Sequence, residues 1–136
     1  RRVLFRSAGE CAEDAAFFSF GTNDLTQMTF GFSRDDAGSF IQAYLQSGIL
    51  QEDPYQHLDQ AGVGTLMRQA ITGVRDRQPE HSIGVCGEVG SDPYSIAFLR
   101  EIGIDYVSCS PYRIPAAWLA IAQSAPIIEE ASVGSR

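Results

Sequence analysis

Residues 17–27 read FFSFGTNDLTQ, and this stretch decides the fold that we predict for the chain. It begins as a short apolar run rich in aromatic residues, which is typical of a β-strand buried on both faces. The run breaks at Gly21, a residue that lets a ligand approach the backbone closely. The next three residues, Thr22, Asn23 and Asp24, offer a hydroxyl, an amide and a carboxylate within one turn. A buried strand with a polar tip is typical of the carboxyl end of a strand in an α/β barrel, where catalytic groups lie.

The rest of the chain alternates helical and strand patterns. Two further short apolar runs, residues 82–86 and 104–109, predict strands. Predicted helices lie between and around them, over residues 10–16, from 35 or 36 to about 46, 63–77, 93–102 and 114–123. Either Asp35 or Asp36 is expected to cap the second of these helices and Asp92 the fourth. Met67 and Trp118 are expected on buried helix faces. This order predicts parallel strands joined by right-handed crossovers, and so an α/β fold.

Composition narrows the class of protein. The formal charge of −7, with ten scattered arginines and no lysine, argues against a nucleic-acid-binding surface, which needs clustered basic residues. No window has the apolar length of a membrane span, and no signal peptide pattern is present. Three widely spaced cysteines form neither a disulfide framework nor a zinc pattern. These features predict a reduced, cytoplasmic protein without a membrane or nucleic-acid partner.

Length suggests a partial domain. A complete (β/α)8 barrel takes about 250 residues, and the chain has 136 and begins with Arg1. We therefore expect a fragment that supplies about half of a barrel. Without partner segments such a fragment would expose a strand edge.

Three blocks of sequence carry a family resemblance. FFSFGTNDLTQMTFG at residues 17–31, IGVCGE at 83–88 and DYVSCSP at 105–111 follow one another in the order found in PEP-utilising enzymes. The chain resembles this family, and within it most closely the pyruvate, phosphate dikinases. The resemblance implies the C-terminal part, about strands six to eight, of a (β/α)8 TIM barrel that binds PEP or pyruvate. It divides the chain into an unmatched segment 1–7, expected to be a truncation or an artefact, a partial barrel domain 8–123 and a tail 124–136.

The resemblance also implies roles for the polar strand tip. Asp24 stands where the family has a Mg²⁺ ligand, although from the residues alone a cap of the following turn is the simpler interpretation. Asn23 and Thr22 match residues that hydrogen-bond the carboxylate and enol oxygen of pyruvate or PEP. Gly21 matches a backbone contact to the substrate. Ser19 lies beside this group inside the strand, where a small residue can equally serve packing.

The second block supplies the predicted catalyst. Cys86 matches the residue that delivers a proton to the methylene carbon of the pyruvate enolate. An unperturbed cysteine thiol is mostly protonated at neutral pH and can donate, whereas position alone would make Cys86 a small buried hydrophobe. Glu88 is expected either to orient Cys86 or to bind polar groups at the barrel mouth. Arg113 can assist an anion, although a solvated or subunit-contact arginine is the simpler interpretation.

The activity implied by the resemblance is Mg²⁺-dependent, reversible phosphoryl transfer between a phosphohistidine and the enolate of pyruvate. Neither His57 nor His81 stands in the family's phosphohistidine setting, so that histidine and the ATP-binding domain are expected on segments outside this chain, as is the first half of the barrel. A homodimer is expected from the family.

Relatives such as PEP synthase and the PEP-dependent sugar phosphotransferase enzyme I share two of the blocks and remain alternatives. A further hypothesis is a non-catalytic half-barrel that acts only through a partner. In either case we expect the 136-residue chain alone to be inactive.

Overall fold

The computed structural model describes residues 7–124, in which helices alternate with three short strands. Residues 1–6 and 125–136, which hold most of the predicted unmatched segment and of the predicted tail, lie outside the described residues. The strands are β1 (Phe18–Gly21), β2 (Ile83–Cys86) and β3 (Tyr106–Ser108). The α-helices are α1 (Ala8–Ala12), α2 (Thr22–Phe30), α3 (Arg34–Ala37), α4 (Ile41–Gln46), α5 (Val63–Arg75), α6 (Pro93–Glu101) and α7 (Ile114–Ser124). Short 3₁₀ turns, Glu88–Ser91 and Pro111–Arg113, follow β2 and β3.

The three strands form one parallel sheet with β2 in the middle. Phe18 of β1 pairs with Ile83 of β2, and Val85 of β2 pairs with Val107 of β3. The strand order follows the chain order, β1-β2-β3, and helices connect the strands. The predicted α/β alternation with parallel strands is therefore confirmed for the described residues.

Helices cover one face of this sheet. Phe20, Ile83 and Val85 point into a core shared with α1, α5 and α6. Met67 of α5 is fully buried there, as its helical spacing predicted. Burial of this apolar face is the main stabilising contribution to such a layer.

The opposite face of the sheet is open among the described residues, so the prediction that the first strand is buried on both faces is wrong. Side chains alternate between the faces of a strand, and Ser19, Cys86 and Ser108 on this second face are exposed. Gly84 is covered instead by the Tyr106 ring, which lies where a Cβ on that glycine would be. β1 is also an edge strand of the described sheet, which leaves Phe17 exposed just before it.

Two helix predictions are wrong in detail. The cap after residue 32 is Ser33, whose hydroxyl accepts from the Asp35 amide at 3.2 Å, and the helix stops at Ala37 and restarts at Ile41. Neither predicted aspartate is the cap, because the hydroxyl of Ser33 already meets that free amide. On α7 the buried residues are Ala117 and Ala120, while Trp118 is 71% exposed. Small residues at that contact let α7 approach the rest of the fold closely.

Other expectations are confirmed. Asp92 caps α6 through the Ser95 amide, with Pro93 in the first turn. The predicted helix over residues 10–16 is shorter than expected: α1 begins two residues earlier, at Ala8, and ends four residues earlier, at Ala12. No helix within residues 7–124 has the length and apolar character needed to cross a membrane.

Candidate functional site

The carboxyl ends of the three strands meet at one edge of the sheet. Gly21 at the end of β1 pairs with Cys86 at the end of β2, and Cys86 pairs with Ser108 at the end of β3. The polar stretch after β1 and the GE pair after β2 therefore lie side by side although more than sixty residues separate them in sequence. In open and closed α/β sheets this edge is where ligands bind.

Thr22 ties the tips of β1 and β2 together. It begins α2 directly after the strand, is 1% exposed, and its hydroxyl donates to the Cys86 carbonyl at 2.9 Å. The hydroxyl proton is therefore engaged within the protein, and towards a ligand this oxygen is left as an acceptor. Gly87 lies against it with φ +119°, a conformation that side chains rarely adopt, and a Cβ there would be 2.5 Å from Thr22 Oγ1.

Cys86 is accessible at the end of β2. It lies on the open face of the sheet and is exposed, whereas Cys11 and Cys109 are half-buried. Its thiol donates to the Phe20 carbonyl of the neighbouring strand at 3.4 Å. Among the described residues Cys86 is therefore not buried, and its thiol lies on the open face of the sheet.

Asn23 is held by the loop after β2. Its Nδ2 donates to Glu88 Oε2 at 3.0 Å, and Arg34 Nη2 donates to the other oxygen, Oε1, at 2.6 Å. The hydrogen bond from Asn23, together with that from Arg34, lowers the pKa of the Glu88 carboxyl below its ordinary value. Glu88 therefore carries a negative charge at the site, and its carboxylate is hydrogen-bonded to Asn23 and Arg34, whereas the Cys86 thiol is bonded to Phe20.

Asp24 lies in the first turn of α2. Gln27 Nε2 donates to its Oδ1 at 3.2 Å, and no donor among residues 7–124 is bonded to Oδ2. Within the described residues no group of three or more histidine, cysteine or acidic side chains is placed to hold a metal. Mg²⁺ needs only one or two protein carboxylates because it keeps several waters. Asp24 therefore fits as a single magnesium ligand, and residues 7–124 do not supply a complete set of protein ligands around it.

Two cavities of about 420 Å³ adjoin this edge. They are lined by four of the six predicted site residues, while Thr22 and Cys86 line neither of them. Ser19, Gly21 and Asp24 line a largely apolar groove along β1. Asn23 lines the second cavity, together with Gly87, Glu88, Ser91, Ser108, Cys109, Ser110 and Arg113. Arg113 donates to Ser91 Oγ at 3.3 Å, so its guanidinium faces this cavity and is not simply solvated.

Sequence reasoning missed Arg34 and Gln27. The backbone amide of Arg34 donates to Gln27 Oε1 at 2.9 Å, which joins the loop after α2 to the same network as Asp24 and Glu88. An arginine beside two aspartates gives no local signal of this role, because its partner Glu88 lies 54 residues further along the chain.

The two histidines lie outside the predicted site. His57 Nδ1 lies 3.2 Å from Asp92 Oδ2 at the start of α6. His81 is buried just before β2, at the opposite end of that strand from Cys86. Neither histidine is bonded to the predicted site residues.

Known proteins are similar to this chain over most of its length. The family model described as "PEP-utilising enzyme, PEP-binding domain" matches residues 4–125. The chain is 59% identical over 116 residues to "Pyruvate, phosphate dikinase, chloroplastic" of Flaveria pringlei, which covers 85% of this chain and 12% of that protein. It is 60% identical to "Pyruvate, phosphate dikinase 2" of Zea mays, over 85% of this chain and 13% of that protein. The chain thus spans about an eighth of the length of these relatives, and it belongs to the PEP-binding domain family of the PEP-utilising enzymes.

Proposed function

We propose that this chain forms one part of the PEP and pyruvate site of a pyruvate, phosphate dikinase. The whole enzyme would transfer a phosphoryl group reversibly between a phosphohistidine and the enolate of pyruvate, so that ATP, pyruvate and phosphate give AMP, PEP and diphosphate. In this proposal β1, β2 and β3 are strands six, seven and eight of a (β/α)8 barrel. The observation that carries it is the pairing of Gly21 with Cys86, which brings the two polar strand tips together.

The substrate would be held by the start of α2. Gly21 occupies the N-cap position without a side chain, so no side-chain acceptor meets the free amides of the first turn. An anionic group is favoured there by these amides and by the helix dipole. The Asn23 carboxamide would donate a hydrogen bond to the substrate carboxylate or enol oxygen. Thr22 would bind the substrate through its backbone, because its hydroxyl is bonded to the Cys86 carbonyl. Ser19, exposed on the open face, would border the ligand.

Asp24 would be the contribution of this chain to a Mg²⁺ site. Its Oδ2 is the free acceptor, while Gln27 fixes the carboxylate through Oδ1. When bound, Mg²⁺ would offset the negative charge on the enolate and phosphoryl oxygens. Further ligands would come from water, substrate or chain outside the described residues.

Cys86 would be the proton donor. In the direction from PEP to pyruvate, the bond between phosphorus and the enol oxygen breaks and the phosphoryl group passes to the histidine. The enolate electrons then form a new C–H bond at the methylene carbon with the proton of the Cys86 thiol, and solvent reprotonates the resulting thiolate. The thiol fits this step because it is exposed at the strand tip and because it is protonated when it donates its hydrogen bond to the Phe20 carbonyl.

Other family members remain second candidates. PEP synthase and the PEP-dependent sugar phosphotransferase enzyme I would use the same residues with a different phosphate source. The high identity to several proteins named pyruvate, phosphate dikinase favours the dikinase. A half-barrel that acts only through a partner is the non-catalytic alternative, and the open face and the edge strand β1 would be its contact surface.

The remaining partners follow from the same proposal. The rest of the barrel, a phosphohistidine domain and an ATP-binding domain would act on the substrate together with this segment, and a homodimer is expected. Several relatives carry "chloroplastic" in their names and others do not, so cytoplasmic location stays a prediction.

The test is Cys86→Ala in a full-length dikinase that carries this segment. We expect proton delivery, measured as deuterium incorporation into the methyl group of pyruvate from PEP in D₂O, to fall at least about a hundredfold, as for loss of a general acid. Exchange of phosphate between ATP and the histidine should continue, because it does not involve the enolate. Equal loss of both reactions would contradict the assigned role.

The 136-residue chain alone should form no PEP, and PEP formation by it would refute the need for partner segments.

A further inference from the structure

Five residues form a ring of hydrogen bonds at the carboxyl edge of the sheet. Starting from Asn23, the ring runs through Glu88, Arg34 and Gln27 to Asp24, which is the chain neighbour of Asn23. Its hydrogen bonds are Asn23 Nδ2 to Glu88 Oε2 at 3.0 Å, Arg34 Nη2 to Glu88 Oε1 at 2.6 Å, Arg34 N to Gln27 Oε1 at 2.9 Å and Gln27 Nε2 to Asp24 Oδ1 at 3.2 Å. Both proposed substrate-site side chains are therefore fixed by groups that do not belong to the proposed substrate contacts.

Glu88 decides which way the Asn23 carboxamide faces. An ionised carboxylate only accepts hydrogen bonds, so one N–H of the Asn23 NH₂ group is given to Glu88, and the second N–H is left as the donor for a carboxylate or enol oxygen of the ligand. Without that acceptor an asparagine side chain can rotate by half a turn and exchange its donor and acceptor. A ligand oxygen would then meet either an N–H of Asn23, which binds it, or Oδ1, which repels it.

Arg34 makes this arrangement compatible with an anionic ligand. A bare carboxylate next to the site would repel a negatively charged group, and the repulsion grows where water is excluded. The guanidinium of Arg34, bonded to Glu88 Oε1, balances that charge. Cys86 does not share in this network, since its thiol is bonded to Phe20.

We propose that Glu88 is a positioning residue, which holds the Asn23 carboxamide in one orientation for the ligand while Arg34 binds its second oxygen and balances its charge. The consequence for pyruvate rests on the proposed function, whereas the positioning itself does not. Glu88 thus acts through Asn23, and it is distinct from the proposed proton donor and the proposed magnesium ligand.

The positioning can be measured by NMR on the ¹⁵N-labelled chain. Protonation of Glu88 in acid should shift the two Asn23 Nδ2 proton signals with a midpoint below the ordinary glutamate range. Glu88 lines two cavities, the one shared with Asn23 and another beside α3 and α4. Besides Arg34, the charged or titratable groups bordering them are Arg113, Cys109, Asp53 and Tyr55, and of all these groups only Glu88 is bonded to Asn23. Glu88→Gln should abolish the titration, and Glu80→Gln, at an exposed residue with no side-chain partner in the described structure, should leave it unchanged.

Two outcomes would overturn the positioning. One is an Asn23 signal that does not titrate, and the other is a titration that survives in Glu88→Gln. If Glu88→Gln does not fold, Arg34→Gln gives an independent test, because it should keep the titration and move its midpoint upward. An unchanged midpoint in Arg34→Gln would contradict the part assigned to Arg34.

A binding measurement separates this inference from the proposed function. With Mg²⁺ present, pyruvate is titrated into the full-length protein that carries this segment and into its Glu88→Gln variant, and the two Kd values are measured. We expect the Kd for pyruvate to rise about tenfold in the variant, the effect of one misdirected hydrogen bond to a charged ligand. Equal Kd values would refute the role of Glu88 in binding. If Asn23 titrates as expected in the chain but the full-length wild-type protein does not bind pyruvate, the positioning is supported and the proposed function is contradicted.

Discussion

Gly87→Ala is the substitution that tests most directly how the two strand tips are joined. Gly87 follows β2 with φ +119° and ψ 178°, a region that is essentially restricted to glycine. The added Cβ would also lie 2.5 Å from Thr22 Oγ1. Since Thr22 is buried and β-branched, it can relieve the overlap only by giving up its hydrogen bond to the Cys86 carbonyl or by shifting the start of α2.

The size of the effect follows from these two contributions. Holding a non-glycine residue in this backbone region costs about 1 to 3 kcal/mol. Loss of the Thr22 hydrogen bond, which leaves the Cys86 carbonyl short of a partner, costs about 1 kcal/mol. We therefore expect Gly87→Ala to reduce the free energy of unfolding by about 2 to 4 kcal/mol, a large share of the stability of a small domain.

The assay is urea unfolding followed by circular dichroism, with Gly38→Ala as the matched control. Gly38 has φ −56° and ψ −22°, and a Cβ there would meet no atom within 4 Å. The control should therefore be neutral or more stable by about 0.4 to 1 kcal/mol, because alanine restricts the unfolded chain. If Gly87→Ala unfolds at the same urea concentration as the wild type, neither the strained glycine nor the contact with Thr22 has been assigned correctly.

Two further predictions concern acid and thiol chemistry. The pKa of Glu88 is lowered in the folded state, chiefly by the hydrogen bonds from Asn23 and Arg34. Its contribution to stability is therefore present above the pKa of the unfolded state and is lost as the pH falls through the folded value. Unfolding measured across the acid range should show a shallower pH dependence in Glu88→Gln than in the wild type, and parallel curves would contradict this. Of the three cysteines, Cys86 is the exposed one, so Ellman's reagent should modify one thiol faster than the other two. Cys86→Ser should remove that fast phase, and its survival would mean that another thiol is the accessible one.

The main elements could be read from local patterns. The apolar positions of α5 repeat with helical period, so its buried face, including Met67, was predictable before any contact was known. The cap of α6 follows from an aspartate before a proline. In contrast, Trp118 was misassigned because a large apolar residue on a helix does not identify which side of that helix meets the protein, and the alanines of α7 do.

The sequence by itself determined the family, the alternation of strands and helices, and the two polar strand tips at Gly21 and Cys86. These are local features, because a run of residues fixes its own backbone preference and chemical groups. Only the tertiary structure decided that the Thr22 hydroxyl donates to the Cys86 carbonyl. It also decided that the Glu88 carboxylate accepts hydrogen bonds from both Asn23 and Arg34. These contacts join residues 54 to 65 positions apart. Parallel strands create them, because the sheet register brings the ends of distant segments to one edge, and no local pattern encodes that register.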